Sequence, residues 1–347
     1  MLYDRLGGRG ALPAARTLDL ARRANGLWYA ELAPHEGAPV RTLRARALVN
    51  ATGPWVARFL AERLQMPAPG VRLVKGVHIV VPRLSAHPDA YALPNDDGRL
   101  LFVIPYEQSF SLIGTTAEDY QDEPAAVAAS DMDILYLCQA VSRYLRQPVH
   151  TDQVIWSYAG VRPRDDDGRD DLLELDAPAG DAPLLSIWGG RMTTYRQLAE
   201  RALARLQPVL GFERGAWTAG ATLPGGDLPA SDFDRFLRVL RDERPWLPAP
   251  LARRYARAYG TRVERLLNGA GGLEALGEPL GQDLYEAEVG YLVRAEWAQT
   301  GEDILFRRSK LGLHVDARTR AGLDDWLARN RGGAARSADL QPDRGTR

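Results

Sequence analysis

The stretch Leu184 to Gln197, reading LLSIWGGRMTTYRQ, constrains the chain most, because it joins a buried strand to a helix through two glycines. Leu184, Leu185, Ile187 and Trp188 form a short apolar run of strand type. Gly189 and Gly190 have no Cβ, so a flat group can press against their backbone. Thr194 with Gln197 fits a capping box, and Leu198, Ala202, Leu203 and Leu206 continue at helical spacing. The start of such a helix aims unpaired N–H groups and a partial positive charge back across the glycines. That end suits an anion, or the electron-rich edge of a ring that becomes anionic on reduction. A plain tight turn also uses Gly-Gly, so the stretch gains meaning only beside others.

At 347 residues and 45% hydrophobic, the chain is long enough for a large core split over two domains. A net charge of −1 gives no support for a nucleic-acid surface. The longest apolar runs fall far short of the roughly 18 residues that span a membrane, and Met1-Leu-Tyr-Asp4 does not open a signal peptide. Cys138 is the single cysteine, which excludes disulfides within the chain and thiolate metal sites and points to a reducing, cytoplasmic compartment. Of 44 lysines and arginines only Lys75 and Lys310 are lysine, as a GC-rich coding bias produces. An individual arginine therefore says little about anion binding.

From about Leu43 to Trp188 the chain reads as strands: Ala45–Asn50, Val71–Pro82, Leu100–Tyr106, Phe110–Gly114 and Val154–Gly160. Turn clusters such as Asn95-Asp-Asp-Gly98 and Asp165-Asp-Asp-Gly168 separate them. Leu101–Tyr106 and Phe110–Gly114 are close enough to pair as a hairpin, and Asp131 to Arg146 reads as a crossing helix. After Trp217 the pattern turns helical. Ser231 with Asp234 caps a helix carrying Phe233, Phe236, Leu237 and Leu240, and further helices fit Leu251–Leu267, Leu284–Gln299 and Ala317–Ala328. Pro224-Gly-Gly-Asp-Leu-Pro229 reads as a linker, and residues 331–347 as a disordered tail.

Several segments carry chemistry. Leu48-Val-Asn-Ala-Thr-Gly53-Pro-Trp55 is a strand ending in small residues, and Ala51, Thr52 and Gly53 leave room where open α/β sheets bind cofactors. A simple strand-to-helix turn would look the same. His78 alternates away from Val77, Ile79 and Val81, so its imidazole can accept an alcohol proton; strand histidines are also commonly structural. His35, His87, His150 and His314 form no metal-spaced cluster with it, and no metal site is expected. Ala159-Gly-Val-Arg162-Pro163 fixes a cation after a strand, able to clamp a phosphate or merely to sit in solvent. Arg191 follows the glycine pair towards the same expected pocket, and Gly114-Thr115-Thr116 ends a hairpin strand in two hydroxyls that serve a substrate or only the turn.

Together these segments resemble the bacterial FAD-dependent glycerol-3-phosphate dehydrogenases. The resemblance rests on VNATGPW (49–55), KGVHIVVP (75–82), FVIPYEQSFSLIGTT (102–116), YAGVRP (158–163), GGRMTTYRQLAE (189–200), WTAGATLPGG and LYEAEVGYLVRAEWAQTGEDILFRRSKLGL, from about Ala21 to Leu327. It implies an α/β (α+β) substrate domain with a mixed β-sheet laid over a flavin, a truncated Rossmann part, and a C-terminal all-α domain. The corresponding ranges are 1–215, 216–330 and a tail at 331–347. The implied reaction is oxidation of sn-glycerol 3-phosphate to dihydroxyacetone phosphate, with hydride passing to FAD and electrons then to membrane quinone. By the same resemblance His78 stands at the reacting hydroxyl. Arg162 binds phosphate, with Arg191 and Thr115 beside the substrate. Asn50, Ala51, Thr52, Gly53, Gly189, Gly190, Met192 and Thr193 line the flavin. The helical region's mix of cationic and apolar residues permits peripheral contact with the inner face of the cell membrane, and a homodimer is compatible with the sequence.

Two departures stand out. The family has lysine where this chain has Arg191; the charge is kept, but a planar fork replaces a compact ammonium. Drift under the composition bias is the expected cause, altered substrate geometry the alternative. The family also opens with a strand, a GxGxxG turn and a helix around the FAD pyrophosphate. Here Gly8-Arg-Gly10 is followed by Pro13, with no apolar strand before it. The expectation is a truncated or degenerate form that holds FAD poorly by itself. The alternatives are an inactive binding or assembly module, or another flavoprotein oxidase of the same scaffold.

Overall fold

The computed structural model describes residues 16–23, 25–33, 40–164 and 171–334. The expectations for the first residues, for Asp165–Gly168 and for residues 335–347 lie outside them. The chain divides into two compact units at Ala219/Gly220.

The first unit holds three sheets. Strands β1 (Arg16–Arg23), β2 (Leu27–Ala33) and β3 (Arg41–Ala45) form an antiparallel meander. A second, mixed sheet has the order β11 (Asp171–Asp176), β12 (Leu184–Gly189), β4 (Leu48–Asn50). In it β12 runs antiparallel to β11 and parallel to β4, with Ser186 opposite Asn50. Strand alternation sends Leu184 and Trp188 to one face, where Trp28 and helix α1 (Val56–Arg63) bury Val56 and Leu60 against them. Leu185 goes to the other face, covered by Ala202 and Leu206 of α3 (Tyr195–Leu210).

The third sheet is antiparallel, with the order β10 (Trp156–Arg164), β5 (Arg72–Pro82), β8 (Phe110–Gly114), β7 (Leu100–Tyr106), β6 (Tyr91–Pro94); β9 (Glu118–Asp119) pairs with β5. The hairpin read from 101–114 is formed by β7 and β8. One face of the sheet carries Val77, Ile79, Val81, Val103 and Ile113 into a core closed by Leu137, Cys138 and Val141 of α2 (Asp131–Ser142). Helix α2 starts in a reciprocal capping box: Ser130 Oγ accepts from Asp133 N–H, and Asp133 accepts from Ser130 N–H at 2.8 Å. It stops at Ser142 rather than Arg146, because Ser142 Oγ donates to the Cys138 carbonyl at 2.6 Å and accepts from Val149 N–H at 2.8 Å.

The second unit is helical around one core: α4 (Phe233–Glu243), α5 (Ala249–Tyr259), α6 (Val263–Leu266), α7 (Glu286–Glu296) and α8 (Ala317–Ala334), with a short hairpin of β13 (Pro279–Gly281) and β14 (Leu284–Tyr285). Four expectations are corrected here. The cap of α4 is Asp232, which accepts from Arg235 N–H at 3.0 Å, and not Ser231. The helix read over Leu251–Leu267 breaks at Gly260, where φ is +53° and a Cβ would overlap the Gly225 carbonyl. For the same reason Pro224–Pro229 is no free linker: Gly225 packs on Tyr259 and Gly260, and its carbonyl accepts from Thr261 N–H at 3.1 Å. Residues 331–334, expected in the tail, belong to α8, which runs to Ala334.

Leu137 is fully buried between α2 and the six-stranded sheet. Leu137→Ala is expected to lower the unfolding free energy of its unit by about 2–5 kcal/mol in urea titration. Leu203→Ala, at a half-exposed position of α3, should stay within about 0.5 kcal/mol.

Candidate functional site

Strand β5 lies between β10 and β8, with His78 opposite Tyr158 on one side and Gly114 on the other. Because side chains alternate, His78, Gly76 and Val74 share the face turned away from α2 with Tyr158, Gly160 and Arg162. A cavity of about 400 Å³ opens on this face, lined among others by His78, Thr115, Tyr158, Gly160 and Arg162. Three of the residues singled out from the sequence, His78, Thr115 and Arg162, therefore share one cavity.

The imidazole is held on both sides. Its ring stacks on Tyr158 with centroids 5.0 Å apart and planes 6° from parallel. A Cβ at Gly114 would sit 2.2 Å from His78 Cδ2, so only glycine leaves the ring its place. Nδ1 is buried without a hydrogen-bond partner. Burial lowers the His78 pKa below the ordinary imidazole value, so the ring is neutral at neutral pH. Burial raises Tyr158, and pushes Tyr106 up to about 12 together with the charges of Glu107 and Tyr158. Both phenols stay protonated, which leaves His78 as the group suited to accept a proton. Arg162 is exposed, and its guanidinium takes no partner among the described residues.

Lys75 turns to the other side of β5. Its ammonium donates to Asp133 Oδ2 at 2.8 Å, tying the site's central strand to the start of α2. Thr116 is buried, and its Oγ1 accepts from Val77 N–H at 3.0 Å, while Thr115 Oγ1 donates to the Thr116 carbonyl at 2.9 Å. Both residues line the cavity, but the Thr116 hydroxyl is occupied by the strand.

A second group gathers at the carboxyl ends of the parallel pair β4 and β12. Buried Asn50 donates from Nδ2 to the Val56 carbonyl at 3.0 Å and accepts from Thr52 Oγ1 at 2.7 Å. These bonds fix the Ala51–Gly53 turn. Gly53 has φ +58°, with open space where a Cβ would stand. Gly189 and Gly190 have φ of +74° and +106°. The space above Gly190 is not free, since a Cβ there would meet Leu198 Cδ2 at 2.7 Å; this glycine lets α3 pack close. Arg191, Met192 and Thr193 are exposed, Met192 at 87%. The capping box expected from Thr194 and Gln197 does not form: a 3-10 turn at Met192–Thr194 precedes α3, and Thr194 Oγ1 donates back to the Arg191 carbonyl. Strand β10 packs against both the Gly53–Trp55 turn and β12, so the two groups adjoin along one strand.

Residues 14–196, just over half of the chain, match the family model described as FAD dependent oxidoreductase. The chain belongs to that family. Residues 216–325 match the C-terminal domain of alpha-glycerophosphate oxidase. The chain is 47% identical over 316 residues to a glycerol-3-phosphate dehydrogenase of Pseudomonas aeruginosa, covering 88% of this chain and 61% of that one. It is 39% identical to the D-erythritol 1-phosphate dehydrogenase of Brucella abortus, covering 94% and 77%. The structure of the Bacillus halodurans glycerol-3-phosphate dehydrogenase complexed with FAD superposes with a TM-score of 0.75 at 27% identity, covering 92% of this chain and 64% of that one. The chain thus spans about three fifths of the P. aeruginosa relative's length.

The residues at these strand ends fit part of a flavin site. Gly53 gives a bare, positive-φ backbone facing open space at the end of β4, and Gly189 also has positive φ at the end of the neighbouring parallel strand. Sequence reasoning missed Tyr158 and Gly160 as parts of the cavity. Register was the signal: residues 158, 160 and 162 alternate onto one face once β10 pairs with β5. Removing the stacked ring should restore solvent to the imidazole. Tyr158→Ala is therefore expected to raise the His78 pKa towards about 6.5, read by NMR titration of its imidazole protons.

Proposed function

We propose that the protein oxidises a short polyol monophosphate, sn-glycerol 3-phosphate in the first place, to the corresponding ketone, here dihydroxyacetone phosphate. The observation that carries the reading is the single cavity that joins a neutral imidazole, a hydroxyl and an exposed guanidinium. Arg162 binds the phosphate by charge-assisted, bidentate hydrogen bonds. Thr115 holds a substrate hydroxyl. His78 accepts the proton of the alcohol being oxidised, at Nε2, since Nδ1 is sealed from solvent. Tyr158 and Gly114 keep the ring in one plane while this happens. FAD, held by the Ala51–Gly53 turn and by Gly189 with the residues to Thr193, supplies the two-electron acceptor when bound. Arg191 adds positive charge beside the same backbone, which favours developing negative charge there.

Passage of electrons to membrane quinone, and a peripheral position at the inner face of the cell membrane, complete this reading by likeness to the glycerol-3-phosphate dehydrogenases. Among the described residues no helix is long and apolar enough to cross a membrane. A second substrate, a four-carbon polyol phosphate, is favoured by the D-erythritol 1-phosphate dehydrogenase, whose length this chain covers most fully of the relatives compared above.

The reading is tested by reduction of an artificial electron acceptor with glycerol 3-phosphate and added FAD. Arg162→Ala is expected to raise KM by about 10- to 150-fold, the loss of ~1.5–3 kcal/mol of charged hydrogen bonding. An unchanged KM would overturn the phosphate assignment. In the wild type, kcat/KM should fall only below about pH 6.5, because the imidazole pKa is lowered and the ring must be neutral to act.

A further inference from the structure

Between the imidazole and the guanidinium the sheet carries a row with no side chains. Counting along β5 and β10, the facing pairs are His78 with Tyr158, then Gly76 with Gly160, then Val74 with Arg162. The first and third pairs are about 13 Å apart at roughly 3.3 Å per residue. A proton acceptor and an anion clamp thus stand at two ends of a path whose middle is bare backbone on both strands. Gly76 and Gly160 both line the cavity.

The two glycines are bare for different reasons. A Cβ at Gly76 would lie 2.8 Å from Thr115 Oγ1, so the protein itself requires glycine there. A Cβ at Gly160 would meet nothing within 4 Å, and its φ is outside the left-handed region. A Cβ at position 160 therefore meets neither a clash nor backbone strain, and a strand interior ordinarily disfavours glycine. Local folding therefore gives no reason for glycine at 160. What a side chain there would fill is the space between His78 and Arg162.

Resting on the function proposed above, we infer that Gly160 is a specificity-determining residue: it forms the floor over which the carbon chain of a polyol monophosphate lies between His78 and Arg162. Linear three- and four-carbon phosphates can lie along such a floor with the phosphate at Arg162 and a hydroxyl at the imidazole. For this the flexible Arg162 side chain must reach back along the glycine row to the phosphate. A methyl group at position 160 stands in the path of the carbons without touching either anchor.

The test uses the purified full chain with FAD added, and measures dissociation constants for glycerol 3-phosphate and inorganic phosphate by calorimetry. Inorganic phosphate needs only the guanidinium end; glycerol 3-phosphate needs the whole path. Gly160→Ala is expected to weaken glycerol 3-phosphate binding by about fivefold or more, and Gly160→Val further. Phosphate affinity and melting temperature should hold in both. Unaltered glycerol 3-phosphate affinity in Gly160→Val would overturn the inference while the proposed function stood. Equal loss of both probes in Gly160→Ala would overturn it too, because the methyl would then be disturbing the clamp. A wild-type chain that binds neither probe, or an Arg162→Ala variant that binds both as well as the wild type, would overturn the function on which the inference rests.

Discussion

The register of β5 between β10 and β8 is the constraint on which the site depends. Period-two alternation gives the strand two opposite tasks. Val77, Ile79 and Val81 must enter the core under α2, which forces His78 to the other face. A slip of one residue against β10 would bury the imidazole among aliphatic side chains and expose three β-branched residues. The core thus fixes the position of the polar face. The site's geometry is a by-product of the strongest packing in the sheet, and Gly114 and Tyr158 then set the ring within that frame.

Both units bury charge only where it is paired. The ordinary cost of desolvating an ion is high, and it is met by geometry. Burial alone would raise the Asp133 pKa, but hydrogen bonds from Lys75 and Ser130 outweigh it and hold the carboxyl below its usual value. This contribution to stability is in place above about pH 3.9, the unfolded carboxylate range, and is lost as pH falls through the lower folded value. In the helical unit, fully buried Glu288 accepts two hydrogen bonds from Arg254, at 2.6 and 2.7 Å, and one from Tyr259 at 2.6 Å. The lysine that survives in an arginine-rich chain at position 75 occupies a cramped, single-acceptor niche, where a compact ammonium fits better than a fork.

Much of this was legible in the sequence, and the failures have physical causes. Alternation in β5 and the spacing of the β7–β8 hairpin were plain, because apolar residues recur at every second position from Val77 to Val81 and fill both hairpin strands. Strands β1, β2, β6 and β11 escaped notice, since Arg16–Arg23 and Asp171–Asp176 carry as many charges as apolar groups. His78 stood out as a chemistry-bearing type within a strand and Arg162 as one just after a strand, which in the structure runs on to Arg164. Tyr158 and Gly160 did not, because their meaning comes from a cross-strand partner that no local window contains. The helix break at Gly260 was hidden for a related reason: the helical spacing from Leu251 to Leu267 is intact, and only the carbonyl of Gly225 forbids it from continuing.

Strands β4 and β12 are hydrogen-bonded neighbours, yet the whole six-stranded sheet lies between them in the chain. On a ribosome, Leu48–Asn50 emerges long before Leu184–Gly189 and has to wait for its parallel partner. In the six-stranded sheet, β5, β8, β7 and β6 are antiparallel strands close in the chain, but β10 also waits to reach β5. The two glycine-bearing strand ends and the β10 side of the cavity are therefore both late, long-range closures. Substitutions that slow these closures would lengthen the life of a half-assembled species with unsealed edges at β4 and β5, the form most exposed to strand-to-strand aggregation.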